Sequence, residues 1–319
     1  MALTINGVRL DDPGRPYIIA EISGNHHQDY PTAESLVRAA ALAGADAVKA
    51  QTFLSHEICV DMPFPFGHDD AHDAWARSLG VVSMRDLFSK GGLPRAWHKP
   101  LKALADSLGI AFLSTPFSVD AAKFLVEEIG VQALKIASGD LTFTPLLAYA
   151  ACSGVPVILS TGGATLEEVK HARDVLDEAS KYQVAGVVIL HCVSVYPCAD
   201  TIANLCAITH LRERMCECVG FSDHTLSYDL VPALAVASGA TVLEKHLKLA
   251  EDTTSIDAAH SLPPYHFSRY VQAARQASVI LGHGRKEPHA LELHDIKWAR
   301  RDPSDWLRPT EAARQGAWE

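Results

Sequence analysis

Eight times along this chain a short apolar run ends in polar side chains, and a helix-length amphipathic segment usually follows. The runs are Tyr17–Glu21, Ala45–Thr52, Ile110–Pro116, Ala133–Ser138, Val155–Gly163, Val187–Val193, Val219–Thr225 and Thr241–Leu247. Strands that read as unbroken apolar stretches are buried on both faces, which is the pattern of a parallel sheet covered by helices. Eight such units predict an α/β protein, a (β/α)8 TIM barrel. An open doubly wound sheet is the alternative, but no glycine-rich nucleotide turn follows the first run. The polar residues gather after the strands, where barrels of this kind keep their active sites. Asn6-Gly7 and Asp11-Asp12-Pro13-Gly14 predict a short N-terminal hairpin, and a helix from Pro264 to Leu281 closes the ring. The barrel is expected to span residues 1–285, leaving 286–319 as a charged tail that gives no second domain.

One interval breaks the rhythm. After the second strand, Phe53 to Gly92 forms a long insertion rich in Pro, Gly, His and Asp. Loops of that length inside a compact domain usually serve as lids or contact surfaces. Its run His68-Asp69-Asp70-Ala71-His72-Asp73 has metal-capable side chains but reads as solvated loop. A net charge of −10 argues against nucleic acid as a partner, so an anionic substrate has to be met by local lysines. The first residues carry no basic n-region or apolar h-region, and no apolar run reaches membrane-spanning length, so a cytoplasmic protein without membrane contact is expected. Seven scattered cysteines, with Cys216 and Cys218 too close for a CxxC pair, are expected to be reduced and mostly buried.

Alternation along each strand assigns the inward polar groups. These are Glu21, then Lys49 and Gln51, then Ser114 or Thr115, then Lys135 with Ser138 just beyond, then Ser160. The seventh strand offers Ser222 and His224, and the eighth Glu244 and His246. Lysines among hydroxyls suit a phosphate, since ammonium supplies charge and hydroxyls fill the remaining lone pairs. Two neutral imidazoles on neighbouring strand ends suit a divalent cation able to polarise a carbonyl. The competing reading satisfies each histidine with a backbone carbonyl. His191 is out of register with Ser194 and Tyr196, so it is expected to face the helices as a structural residue.

These residues carry a resemblance. Ile18–His26, Ala43–Phe53, Leu113–Phe117, Leu134–Asp140, Val157–Gly162, Leu190–Pro197, Val219–Thr225 and Leu243–His246 are similar, in order, to the motifs of the sialic acid synthase family. That family comprises the neuraminate, legionaminic and pseudaminic acid synthases, with a (β/α)8 barrel followed by a small antifreeze-like domain. The resemblance implies condensation of phosphoenolpyruvate with an acetamido-aldose to give a nonulosonic 2-keto acid and phosphate. It implies a divalent metal, Mn2+ or Mg2+, on His224 and His246. Lys49, Thr115, Lys135, Ser138, Ser160 and Ser222 would grip phosphoenolpyruvate, with Ser194 standing where many members have Asn. Glu21, Gln51, Tyr196 and Asp257 would contact the sugar or the reacting centre.

Three departures bear on the sugar acceptor. The tail to Glu319 is short for a complete antifreeze-like domain, so residues 286–319 read as its remnant or replacement. Ser255-Ile256-Asp257-Ala258 stands for the family's Gly-Pro-Asp-His, and Pro263 for a usual Glu. The insertion resembles the pseudaminic branch around Trp75 and Trp97-His98. A homodimer is expected, with the insertion or the Trp306–Pro309 tail covering the barrel mouth, and an acceptor smaller than, or modified from, N-acetylmannosamine. Two other functions fit a barrel with these residues: a Schiff-base aldolase using Lys135, and a non-catalytic sugar-phosphate-binding barrel.

Overall fold

The computed structural model describes residues 3–63, 75–179, 186–215 and 218–316. A two-stranded antiparallel hairpin, β1 (Thr4–Ile5) and β2 (Val8–Arg9), precedes the barrel strands. These are β3 (Tyr17–Glu21), β4 (Ala47–Thr52), β5 (Ala111–Pro116), β6 (Leu134–Ile136), β7 (Val157–Ser160), β8 (Val187–Cys192), β9 (Val219–Asp223) and β10 (Val242–His246). All pair in parallel, and β10 returns to β3, closing a barrel of eight strands in sequence order. The fold is the expected (β/α)8 TIM barrel with its N-terminal hairpin.

Period-two alternation sorts each strand between two apolar clusters. Ile18, Ala20, Val48, Ala50, Phe112, Leu134, Leu159, Ile189 and Leu243 face outward and pack on the helices. Tyr17, Ile19, Ala47, Leu113, Ile158, Val188, Leu190 and Val242 face the barrel axis. Leu3, Ile5 and Leu10 of the hairpin join that inner cluster and stop the lower end of the barrel. Each fully buried aliphatic side chain contributes about 1.5–3 kcal/mol. Gly220 is set by packing: a Cβ there would run into the Val242 carbonyl oxygen and the Leu190 side chain, so only glycine lets β9 lie this close to β10.

The helices begin where the sequence offers caps. The Asp29 carboxylate accepts the Thr32 N–H at 3.0 Å ahead of the helix Tyr30–Leu42. Thr165 and Glu168 exchange hydrogen bonds of 2.7 and 3.3 Å, the capping box expected at the helix Leu166–Ala179. The closing helix runs Pro264–Leu281, as expected. β6 is shorter than its apolar run because Ser138–Asp140 turns into a 3-10 helix. β7 starts after Pro156, which has no N–H to give the ladder.

The insertion is not wholly irregular. Short helices Ser55–Ile58 and Met84–Ser89 lie in it, the second capped by Ser83, whose Oγ accepts the Asp86 N–H at 3.2 Å. The His68–Asp73 run lies outside the described residues. Of the described cysteines, Cys192, Cys198 and Cys218 are buried, Cys59 is half-buried, and Cys152 and Cys206 are exposed, so the thiols are less buried than the sequence suggests. Among the described residues no helix is long and apolar enough to cross a membrane.

The chain separates into two compact units, residues 1–280 and 281–319. The second holds the helices Glu292–Ala299 and Glu311–Arg314. In it the Asp302 carboxylate caps the Ser304 N–H at 2.9 Å.

Candidate active site

The polar inner layer sits directly above the apolar one. Glu21 lies level with Lys49 on β4 and with His246 on β10. The Lys49 ammonium is ion-paired with Glu21, donates to Thr115 Oγ1 at 2.9 Å, and lies 3.5 Å from Glu244. Lys135 approaches the same Glu244 oxygen at 3.9 Å, and Ser222 Oγ donates to it at 3.4 Å. Glu21, Lys49, Lys135 and Glu244 are 1, 2, 4 and 5 % exposed, a four-charge group almost removed from water.

Such a group is costly to bury, and its charges are set by mutual pairing. Burial, with Glu244 adding repulsion, pushes the Glu21 carboxyl up to about 7 against the pull of Lys49. Burial also works against ionised Glu244, yet Lys135 and Lys49 together hold its pKa below the ordinary carboxylate value. Burial lowers the pKa of Lys135, and Lys49 lowers it further. Burial opposes charged Lys49 too, but Glu21 and Glu244 raise its pKa above the ordinary value. The result is one carboxylate firmly ionised beside another poised to gain or lose a proton near neutrality.

A second cradle opens beside Lys135. The Gly162 N–H donates to Ser138 Oγ at 2.9 Å. A Cβ on Gly162 would strike Ser194 Oγ and come within 3.0 Å of Cys192 Sγ and Ser138 Oγ. Glycine here leaves space between hydroxyls. Ser160 Oγ is buried with no hydrogen-bond partner among the described residues. A lysine, several hydroxyls and an unsatisfied donor form a site that an anion would complete.

On the far side stand the histidines. His224 and His246 face each other with ring centroids 5.6 Å apart. His224 Nδ1 bonds the Val193 carbonyl at 3.0 Å, which in the Nδ1–H tautomer leaves Nε2 with a free lone pair. His246 Nδ1 is buried and has no hydrogen-bond partner among the described residues. A third imidazole, His260, lies 4.5 Å from His246 by ring centroid, and its Nε2 is 3.4 Å from Asp257 Oδ1. Burial lowers His224 to about 4 and His246 well below its ordinary value, so both are neutral donors at physiological pH. Donor atoms of His246, Asp257 and His260 lie within 4.8 Å of one another. Neutral imidazoles, one with an orphaned nitrogen, beside a carboxylate are a donor set that fits a divalent cation.

The remaining expected residues distribute plainly. Ser114 points outward to Thr52 Oγ1, at 2.7 Å, so Thr115 is the inward member of that pair. Gln51, Ser138, Ser194, Tyr196, His246 and Asp257 line a cavity of about 810 Å3 at the barrel mouth. Tyr196 lies against His224 at 4.1 Å between centroids. His191 faces the helices, its ring stacked on Phe221 and its Nε2 2.8 Å from the Ala203 carbonyl. Across the cavity stand Phe53, Trp75, Met84, Leu87 and Phe88 of the insertion. Phe53 packs edge-on against Phe88 and Phe117 at 6.0 and 5.1 Å.

Three participants escaped the motif-by-motif assignment. Alternation puts Glu244 on the inner face, but only the structure shows both lysines converging on it. Ser23 gives its N–H to Glu21 Oε1 at 2.6 Å. His260 lies on a 3-10 turn, where no strand period flags it.

The model of the NeuB family matches residues 36–286. The N,N'-diacetyllegionaminic acid synthase of Legionella pneumophila is 38% identical over 291 residues, covering 91% of this chain and 80% of that protein. The pseudaminic acid synthase of Helicobacter pylori is 33% identical, covering 87% of this chain and 79% of its own. The crystal structure of an N-acetylneuraminic acid synthetase from Leptospira borgpetersenii, in complex with citrate, superposes with a TM-score of 0.79 at 33% identity, covering 93% of this chain and 95% of that one.

Proposed function

The chain belongs to the NeuB family, the sialic acid synthase family whose motifs it carries, and on that premise we propose that it condenses phosphoenolpyruvate with an acetamido-aldose. The products are a nonulosonic 2-keto acid and inorganic phosphate. The observation that carries this is the buried Glu21–Lys49–Glu244–Lys135 group beside a hydroxyl cradle that lacks one partner.

Lys49, Lys135, Thr115, Ser138, Ser160 and Ser222 hold phosphoenolpyruvate, with Ser194 at the rim of the cradle. C3 of the enol forms a bond to the aldehyde carbon, and the aldehyde oxygen becomes a hydroxyl. Water bonds to C2, and the C2–O bond to phosphate breaks, phosphate leaving with the electron pair. Glu21, with its carboxyl near 7, moves the proton at the new hydroxyl or at the attacking water. His224 and His246 would hold a divalent metal, Mn2+ or Mg2+, which when bound supplies a Lewis acid for the aldehyde oxygen. Gln51, Tyr196 and Asp257 face the cavity and contact the sugar. The aromatic wall of the insertion suits an acceptor with acetamido and deoxy carbons, such as a 2,4-diacetamido-trideoxyhexose.

The protein is proposed to work as a cytoplasmic homodimer. Leu230 and Leu234, one turn apart on the helix Leu230–Ala237, stay 63 and 47 % exposed, an apolar patch that a second copy could cover. The test incubates the full chain with Mn2+, phosphoenolpyruvate and a panel of 2-acetamido and 2,4-diacetamido aldoses, measuring phosphate release and product mass. Release with at least one acceptor is expected. No phosphate with any acetamido-aldose would remove the proposed reaction and leave the fold untouched. One observation favours a second reading: Lys135 is buried on the barrel strand β6, and burial lowers its pKa, the direction a Schiff-base aldolase needs.

A further inference from the structure

His260 has no assigned role, yet the fold takes care to hold it. The segment after β10 leaves at Leu247 and comes back alongside it: the Leu262 N–H bonds the His246 carbonyl at 2.9 Å, and Lys248 N–H bonds the Leu262 carbonyl at 3.0 Å. Asn25, from the other side, fastens the same loop, donating to the Leu247 carbonyl at 2.8 Å and to Ser261 Oγ at 2.9 Å. Ser255 Oγ returns a bond to Asn25 Oδ1 at 2.6 Å, and Ser261 Oγ bonds the Asp257 carbonyl at 2.6 Å. These bonds fix the turn Ala258–His260 over His246. His260 is 4 % exposed, and its Nε2 has no hydrogen bond among the described residues.

A buried imidazole with an unsatisfied nitrogen, held beside another of the same kind and a carboxylate, is a ligand awaiting a cation more than a packing residue. Ligand atoms bound tetrahedrally at about 2.0–2.2 Å lie about 3.3–3.6 Å apart, so the 4.8 Å cluster of His246, Asp257 and His260 closes on an ion with a contraction of up to about 1.5 Å. His224, 6.0 Å from His260 by ring centroid, borders the same space.

We infer that His260 is a third imidazole ligand, joining His224 and His246 with Asp257 alongside, and that this nitrogen-rich set selects a transition-metal ion over magnesium. This deepens the metal assignment made above and rests on it. Imidazole suits first-row transition metals, whereas Mg2+ prefers carboxylate, carbonyl and water oxygens and dehydrates reluctantly. A site of two histidines and waters leaves Mg2+ more room than one of three.

The experiment uses the full chain, stripped of metal, with Mn2+ or Co2+ alone as the probe and no substrate. Pulsed EPR of the Mn2+ form counts coupled nitrogens, the Co2+ form reports its ligands by visible absorption, and titration gives Kd. Three nitrogens are expected in the native chain, and two in His260→Phe and His260→Asn, with Co2+ affinity weakened at least about tenfold. Mg2+ in large excess should fail to displace Co2+ from the native chain and compete better in both variants. Using two variants guards against loss of folding in one, and circular dichroism checks each. Unchanged affinity and nitrogen count in the variants would overturn the role of His260 while leaving the two-histidine metal site in place. No metal uptake by the native chain would overturn both.

Discussion

Glu21→Gln isolates the buried carboxyl at the bottom of the active site. The Glu21 side chain is fully enclosed, facing Lys49 on β4, Glu244 and His246 on β10, and the Ser23 N–H. Its pKa rises from 4.5 in the unfolded chain to about 7 in the fold. A raised value means that the folded state holds the proton more tightly. The stability this contributes is complete below about 4.5 and is lost as pH rises through about 7. At about 1.36 kcal/mol for each pKa unit, the loss across that window is about 3 kcal/mol. Buried histidines run the other way: His26, His98 and His224, lowered to about 4, gain stability as pH rises toward 6.5. The informative quantity is therefore the difference between native chain and variant, in which the histidines cancel. Denaturant unfolding at several values between about pH 4.5 and 8 should show the native chain losing about 3 kcal/mol relative to Glu21→Gln. The variant should also lose turnover by about 10²–10⁴-fold if Glu21 moves the proton. Parallel stability curves would refute the assignment of a shifted proton to Glu21.

Other perturbations separate structure from chemistry. His191→Ala should lower stability by about 1–3 kcal/mol, through the lost Ala203 partner, with metal content by elemental analysis unchanged. His224→Ala and His246→Ala should instead abolish metal uptake and activity with the far-ultraviolet circular dichroism retained. Borohydride reduction in the presence of a keto acid should leave Lys135 unmodified by mass spectrometry, while EDTA removes activity; a reduced adduct on Lys135 would favour the aldolase. Gly220→Ala should cost several kcal/mol in unfolding experiments, since the added methyl meets the Val242 carbonyl oxygen.

Much of the site was readable because a strand has only two faces. Once eight apolar runs are aligned, period two forces Glu21, Lys49, Lys135, Ser222, His224 and His246 to one interior, and the structure puts them there. The same rule could not choose between Ser114 and Thr115, because both neighbours are polar and only register settles which turns inward. Nor could it show that Glu244 links both lysines, since that depends on side chains reaching across the barrel. His260 was out of reach for a different reason. It sits on an irregular turn whose position is set by distant bonds from Asn25, separated from it by more than two hundred residues. The helices of the insertion hid behind Pro and Gly content, being only one or two turns long.

The hairpin that fills the lower end of the barrel is expected to govern traffic as well as stability. With Leu3, Ile5 and Leu10 seated on the inner apolar layer, the described residues plug the lower end of the barrel, and entry is expected through the mouth. Whatever lodges against Lys49 and Lys135 must pass the place where the second reactant will later stand. Arrivals are therefore expected to queue, phosphoenolpyruvate first and the aldose behind it. A sugar analogue occupying the doorway should slow the escape of phosphoenolpyruvate already inside, a trapping effect that rapid-dilution release of labelled ligand would measure.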